Sequence, residues 1–194
     1  MIPKVKKLGY TAQQISEDFL LVESDTEVLL VSNKQIQLDN TQSSKGLFKK
    51  TEFTSISFHN TDTSNVTNMN YMFDNCKAQS LDLSSFDTSN VTTMARMFYE
   101  CQAQSIDLSS FNTFNVKYMD EMFAYCKAQY LDLSSFDTSN VIYMNGIFSE
   151  CEAQIINLLS FNTSNVKRME NMLNGCKAQI KTTDQSILSC MQQS

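Results

Sequence analysis

The chain has 194 residues, of which 42% are hydrophobic, and its formal net charge is −6. This hydrophobic fraction supports one continuous core and excludes global disorder. The negative charge argues against direct nucleic-acid binding, which needs a basic footprint, but it suits a partner protein with a basic surface. No apolar run approaches the roughly 18 residues of a membrane span, so no membrane insertion is expected.

Residues 1–45 are predicted to be an N-terminal capping segment. Lys4, Lys6 and Lys7 are not followed by an apolar region, so the start does not have the pattern of a secretory signal. If Met1 is the native start, this predicts a cytoplasmic protein. The stretch DFLLVESDTEVLLVS at residues 18–32 predicts two strands on either side of residues 24–26, which is typical of a β-hairpin.

Residues 46–181 repeat with a period of 25 residues, giving about five units. Columns of Asn, Val, Met and Ala follow this period. The cysteine column consists of Cys76, Cys101, Cys126, Cys151 and Cys176. Since one unit cannot bury its own apolar side chains, the repeat predicts stacked units that share a core.

Each unit divides into a predicted strand and a predicted helix. In SLDLS, at residues 80–84, apolar side chains alternate with polar ones, as in a strand. In NVTTMARMFYEC, at residues 90–101, apolar side chains recur at helical spacing. The expected fold is an α/β, leucine-rich-repeat-like solenoid with one parallel strand and one helix per repeat. It should be curved, because strands are spaced about 4.8 Å apart and packed helices about 8–10 Å.

Residues 182–194 are predicted to form a C-terminal capping helix or tail.

The stretch LDLSSFDTSNVTTMARMFYEC, at residues 81–101, resembles the BspA-like leucine-rich repeats of bacterial surface proteins. The resemblance extends over about residues 53–181. It implies a right-handed solenoid with a parallel sheet, and a role in adhesion or protein recognition. Taken alone, it would also imply a location at the cell surface.

Sites for catalysis, metals or cofactors are not expected. The cysteine spacing supplies none of the close pairs that metal sites use, which favours buried, inert thiols, with zinc, redox or disulfide roles as alternatives. His59 is the only histidine, so a nucleophile would have a single candidate base. The sequence also lacks a Gly-rich phosphate loop, and an enzyme is therefore disfavoured.

Asp82, Asp107 and Asp132, followed by Asn157, are predicted to project from the exposed side of the strands. Two unit charges about 4.8 Å apart repel by roughly 0.9 kcal/mol even in water. Such a row could attract a basic segment. The alternative is that these residues serve turn formation and solubility.

Several residues interrupt the polar columns of the repeat, and exposed aromatic and Arg clusters are typical of protein interfaces. Tyr118, Tyr143 and Arg168 are expected on successive helices. The other interruptions are Phe114, Tyr130, Ile155 and Leu159. Together these residues predict a contact surface in the central and C-terminal units, although scattered surface apolar residues are common.

The favoured function is a non-enzymatic protein-binding module that uses a rigid repeat scaffold. The alternative is a small acidic intracellular inhibitor or decoy, of the kind a phage encodes, that occludes a basic surface of a nucleic-acid-handling enzyme. A third hypothesis is a self-assembling homo-oligomer.

Overall fold

The computed structural model describes residues 11–14, 20–23, 27–31, 36–37, 55–58 and 61–192. Within these ranges the chain winds into stacked coils. The N-terminal strands are β1 (Thr11–Gln14), β2 (Leu20–Glu23), β3 (Glu27–Val31), β4 (Ile36–Gln37), β5 (Ser55–Phe58) and β6 (Thr61–Asp62). The later strands are β7 (Ser80–Asp82), β8 (Ser105–Ile106), β9 (Tyr130–Asp132), β10 (Ile155–Asn157) and β11 (Gln179–Lys181).

The strands form three sheets, with the orders β1-β2-β3-β5-β7-β8, β9-β10-β11 and β4-β6. β1 pairs with β2, and β2 with β3, in antiparallel fashion, whereas all other pairs are parallel. The sequence period becomes the register of the sheets, because Leu81 lies opposite Ile106, 25 residues later. Between the last two strands, β10 and β11, the offset is one residue less, since Ile156 lies opposite Ile180.

The segments predicted as helices are chains of tight turns. In residues 94–101, three N–H groups each donate to the carbonyl three residues earlier, as Met97 does to Met94 at 3.2 Å. The alternate N–H groups donate to the next coil, as Arg96 does to the Asp120 carbonyl at 2.9 Å. An α-helix would use all of these donors internally, so each coil forms bonds with its neighbour in place of a helix.

Left-handed backbone at two positions per coil gives these turns their shape. Arg96 has φ +57° and Glu100 has φ +53°. The equivalent positions in other coils are also left-handed: Tyr71, Asn75, Glu121, Tyr125, Gly146, Glu150, Asn171 and Gly175. A right-handed helix cannot include such residues.

The predicted α/β leucine-rich-repeat-like solenoid is therefore wrong. In the described residues the only helix is α1 (Gln185–Met191), which lies after the last strand, so no repeat contains one. The expected curvature loses its basis too, because it depended on helices being spaced more widely than strands. None of the described residues belongs to a helix with the length and hydropathy of a membrane span.

The core consists of columns of identical side chains. The Phe98 ring stacks on Phe73 at a centroid distance of 5.5 Å and on Phe123 at 5.3 Å. Val, Met, Cys and Ala columns are buried beside these rings. The apolar spacing that predicted a helix therefore reflects burial and not helical backbone. The residues with this spacing lie on turns and are all buried: Val91, Met94, Met97, Phe98 and Cys101.

A column of buried threonines links successive coils. The Thr138 hydroxyl donates to the Asn162 carbonyl at 3.0 Å and accepts from the Asn162 N–H at 2.8 Å. At the last coil, Asp184 replaces the next coil, because its carboxylate accepts from both the N–H and the hydroxyl of Thr163. The same carboxylate caps α1 by accepting from the N–H groups of Ser186 and Ile187.

Candidate functional site

The sheet surface between β8 and β10 carries an apolar pair beside exposed carboxylates. Tyr130 begins β9, is 45% exposed and lies opposite the half-buried Ile155 in the sheet register. Asp107 and Asp132 are exposed on the same side of the sheet, because strand residues two apart share a face. Tyr130, Ile155, Asp107, Asp132 and Asn157 are called the strand-face patch below.

A groove of about 340 Å³ opens within this patch. It lies where the sheet is interrupted, since β8 is the edge of the six-stranded sheet and β9 is the edge of the three-stranded sheet. Both carboxylates of the patch face it. Its lining is Ile106, Asp107, Leu108, Ser109, Tyr130, Asp132, Ser134 and Ser135. The groove therefore offers negative charge beside an exposed aromatic ring.

The aspartates of the strand face also shape the turns that follow them. Asp82 and Asp107 accept from the N–H groups two residues later at 3.1 and 3.0 Å, and Asp132 does so at 3.1 Å. Hydrogen bonding to Ser109 holds the pKa of Asp107 below its usual value, and Ser134 does the same for the pKa of Asp132. The row is thus both a set of turn acceptors and an exposed line of charges.

Asn157 ends this row of carboxylates. Its side-chain amide donates to Asp132 at 2.9 Å, and its oxygen accepts from the Leu159 N–H at 3.3 Å. Lys181, in the next coil, contributes further to the lowered pKa of Asp132. The negative surface is therefore confined to the central coils.

Tyr118, Tyr143 and Arg168 lie together on another side of the coils. Parallel β-bridges join Tyr118 to Tyr143 and Tyr143 to Arg168. The prediction that these positions lie on helices is therefore wrong. The two rings lie 5.7 Å apart, and the Arg168 guanidinium carbon is 5.9 Å from the Tyr143 ring centre. These three residues, with the exposed Lys117 and Lys167 that precede Tyr118 and Arg168, are called the bridge row.

Phe114 and Leu159 lie apart from both groups. Both side chains are more than half exposed, at 53% and 54%, and both residues are in turns. The Phe114 carbonyl accepts from the Asn140 side chain at 2.8 Å, so its backbone joins the asparagine column that ties adjacent coils. The described residues show no ring contact between Phe114 and the bridge row.

The sequence reasoning missed a cluster on the turns. The Arg96 guanidinium carbon lies 4.5 Å from the Tyr99 ring centre, and the Tyr99 and Tyr125 ring centres are 5.6 Å apart. Arg96 also forms an ion pair with Glu121. Burial opposes the charge of Arg96, but the hydrogen bond that Arg96 donates to Glu121 and the attraction of that carboxylate together outweigh burial and raise the Arg96 pKa. The available signal was that Arg96 and Glu121 are 25 residues apart, in one column.

The six cysteines are free thiols, and four of the five in the repeat column are buried. Their positions in adjacent coils are bonded neighbours, since the Lys127 N–H donates to the Cys101 carbonyl at 3.0 Å. These positions therefore have the separation of neighbouring strands, which is smaller than the separation of packed helices. Burial raises the pKa of Cys126 to about 12. Among the residues that the structure describes, no group of three or more His, Cys, Asp or Glu side chains could hold a metal ion.

Comparison with known proteins gives one family. The family model described as "Mycoplasma protein of unknown function, DUF285" matches residues 42–153 and 106–190. No curated protein and no solved structure matches the chain. The assignment to BspA-like leucine-rich repeats is therefore wrong: the repeated motif is that of the matched family, and its coils lack the helix that the assignment implied.

Proposed function

Since the chain belongs to the DUF285 family of Mycoplasma proteins of unknown function, we propose from the geometry that it is a non-enzymatic binding module whose strand-face patch receives a basic segment of another protein. The observation that carries the proposal is the exposed Tyr130 ring beside a groove faced by two carboxylates. Exposed aromatic side chains that bury large areas are the usual anchors of protein interfaces.

Charge defines the kind of segment that fits. Asp107 and Asp132 remain ionised at neutral pH, because hydrogen bonds hold the pKa of each carboxyl below its usual value. Lys or Arg side chains entering the groove would pair with these carboxylates, while their aliphatic stems pack on Tyr130 and Ile155. A rigid sheet surface of this kind binds with little ordering cost, since its strands are already fixed by the neighbouring coils.

A synthetic octapeptide of alternating lysine and tyrosine is a suitable probe, with its binding to the full chain followed by fluorescence anisotropy. The double substitution Tyr130→Ala and Ile155→Ala should weaken binding about tenfold, as expected for loss of interface anchors. Tyr125→Ala, which removes an equally exposed ring from the turn cluster, is the matched control and should bind as the wild type does. Equal affinity of all three proteins would refute the proposal.

The inhibitor hypothesis uses the same carboxylates. Asp82, Asp107 and Asp132 stand at a regular spacing of one coil, which suits a basic groove that normally holds phosphates. The distinguishing measurement is the effect of the protein on cleavage or copying of DNA by a panel of purified enzymes. Inhibition that disappears in Asp107→Asn/Asp132→Asn, which retains the turn acceptors, would favour the inhibitor; no inhibition of any enzyme would remove it.

A further inference from the structure

We propose that the strand-face patch of one copy of this protein docks on the bridge row of a second copy, so that the chain self-associates side by side. This inference rests on the proposed function, because it assigns an occupant to the same patch. The bridge row is the basic, aromatic surface that the patch requires.

The two surfaces have opposite charges. The bridge row occupies two adjacent columns that contain no acidic residue: Asn68, Thr93, Tyr118, Tyr143 and Arg168, and Thr67, Thr92, Lys117, Ile142 and Lys167. The strand face carries three exposed aspartates and no basic residue before Lys181. In a chain with a net charge of −6, these two columns thus hold three cationic side chains and no carboxylate; the nearest acidic residues, Asp120 and Glu170, lie two positions further on, and Asp120 accepts from the Asn145 side chain.

The spacings of the two surfaces also match. Asp82, exposed on β7, continues the aspartate column of the patch, so Asp82 and Asp132 are separated by two repeats, as Lys117 and Lys167 are. Since adjacent coils are bonded as neighbouring strands, each pair spans about 10 Å along the stack, or two strand spacings of about 4.8 Å. Two copies lying side by side could therefore form both ion pairs at once, without distortion of either copy.

Aromatic side chains provide contact area beside these charges. Tyr118 lies in the same coil as Lys117 and Tyr143 one coil later, while Tyr130 lies in the same strand as Asp132. The contact is heterologous, since it joins different surfaces of two identical chains. Such contacts can continue from copy to copy, so we expect species larger than a dimer as the concentration rises.

The test is sedimentation velocity of the full chain over a wide concentration range, at low salt and at about 0.5 M salt, where charges are screened within a few ångströms. The wild type should associate at low salt and dissociate at high salt. A bridge-reversed variant, Lys117→Glu/Lys167→Glu, should remain monomeric. The control Lys77→Glu/Lys177→Glu changes the net charge equally, at exposed positions outside both surfaces, and should still associate.

A strand-reversed variant completes the experiment. Asp82→Lys/Asp107→Asn/Asp132→Lys makes the strand face positive and sets its two lysines two repeats apart, while Asn at position 107 retains a turn acceptor as Asn157 does. This variant should be monomeric alone, yet an equimolar mixture with the bridge-reversed variant should associate, because each reversed surface then meets its complement. Thermal unfolding checks that both variants are folded.

Three results would overturn self-association: a monomeric wild type at low salt, a control that dissociates as the bridge-reversed variant does, or a mixture that stays monomeric. If the lysine–tyrosine peptide still binds the patch in any of these cases, the proposed function stands and only the second copy is wrong as its occupant. If the peptide also fails to bind, both proposals fall.

Discussion

At the scale of single residues, the threonine column shows how a small polar side chain can be buried without cost. Each threonine hydroxyl of the interior coils bonds the backbone of the following coil, so the hydroxyl and the main chain satisfy each other. The five threonines are the only buried polar residues among those described. The column is visible in the sequence, but its role is not, because it depends on which coil lies above it.

Removing one of these hydroxyls should be costly. Thr138→Val keeps the shape of the side chain but leaves the Asn162 N–H and carbonyl without their bonds to the hydroxyl, so it should lower the free energy of unfolding by about 1–3 kcal/mol. Urea denaturation measures this change. Thr138→Ser, which keeps the hydroxyl, should retain more of the stability. Equal stability of the Val and wild-type chains would show that the hydroxyl bonds contribute nothing.

At the scale of elements, the sequence predicts which residues are buried better than it predicts the backbone conformation. The strands follow from simple alternation, as in Leu81 and Leu83. The turns could not be found this way, because Val91, Met94, Phe98 and Cys101 have the spacing of a helix and yet lie on tight turns. Only the donation of alternate N–H groups to the next coil separates the two, and this is a non-local property.

The same reason limits prediction of the candidate site. Tyr130 and Ile155 could be placed on one strand surface from the period alone. Arg96, Tyr99 and Tyr125 could not be grouped, since their contact depends on left-handed backbone at Arg96 and Tyr125. Non-glycine residues adopt this conformation only at a cost, which the neighbouring coils offset through hydrogen bonds.

Helix α1 should depend on Asp184. Asp184→Ala removes the helix cap and the bonds to Thr163, so it should lower stability by about 1–2 kcal/mol and speed amide exchange in α1. Thr183→Ala, at the exposed neighbouring position, is the control and should change little. Unchanged exchange in α1 after loss of Asp184 would contradict this role.

Protonation of Asp184 at acidic pH should weaken its stabilisation of α1, though less than the Asp184→Ala substitution does. Burial works to raise the pKa of Asp184, but its hydrogen bonds to Thr163 and to the start of α1 outweigh this and lower it. A carboxyl whose pKa is lower in the folded chain stabilises the fold above its unfolded pKa, and this contribution is lost as pH falls through the folded value. The protection of the α1 amides relative to their intrinsic exchange rate at each pH should therefore fall in acid.

At the scale of the whole molecule, the buried thiols limit the stability of the fold at alkaline pH. Burial raises the pKa of Cys126 to about 12 and also raises that of Cys151. A thiol whose pKa is raised by folding contributes stability that is complete below the unfolded value of about 8.5 and is lost as pH rises through the folded value. The free energy of unfolding, measured under reducing conditions, should therefore fall from about pH 8.5 upward.

A matched variant isolates the thiols. Cys126→Ala/Cys151→Ala removes two of the titrating groups, so its stability should fall less steeply in alkali than that of the wild type. The variant starts from a lower stability at neutral pH, because it leaves small cavities in the core. Parallel curves for the two proteins would show that other groups cause the decline.

The in-register bonding of each coil to the next has a consequence for how such a chain can change over time. Gain or loss of one whole unit of 25 residues would preserve the backbone register between the coils that remain, and the closing helix would then follow a different unit. A gain or loss of any other length would misalign the columns at that point. Recombination between units can thus lengthen or shorten the exposed strand face in steps of about 4.8 Å, altering how many carboxylates it carries without redesigning the interior.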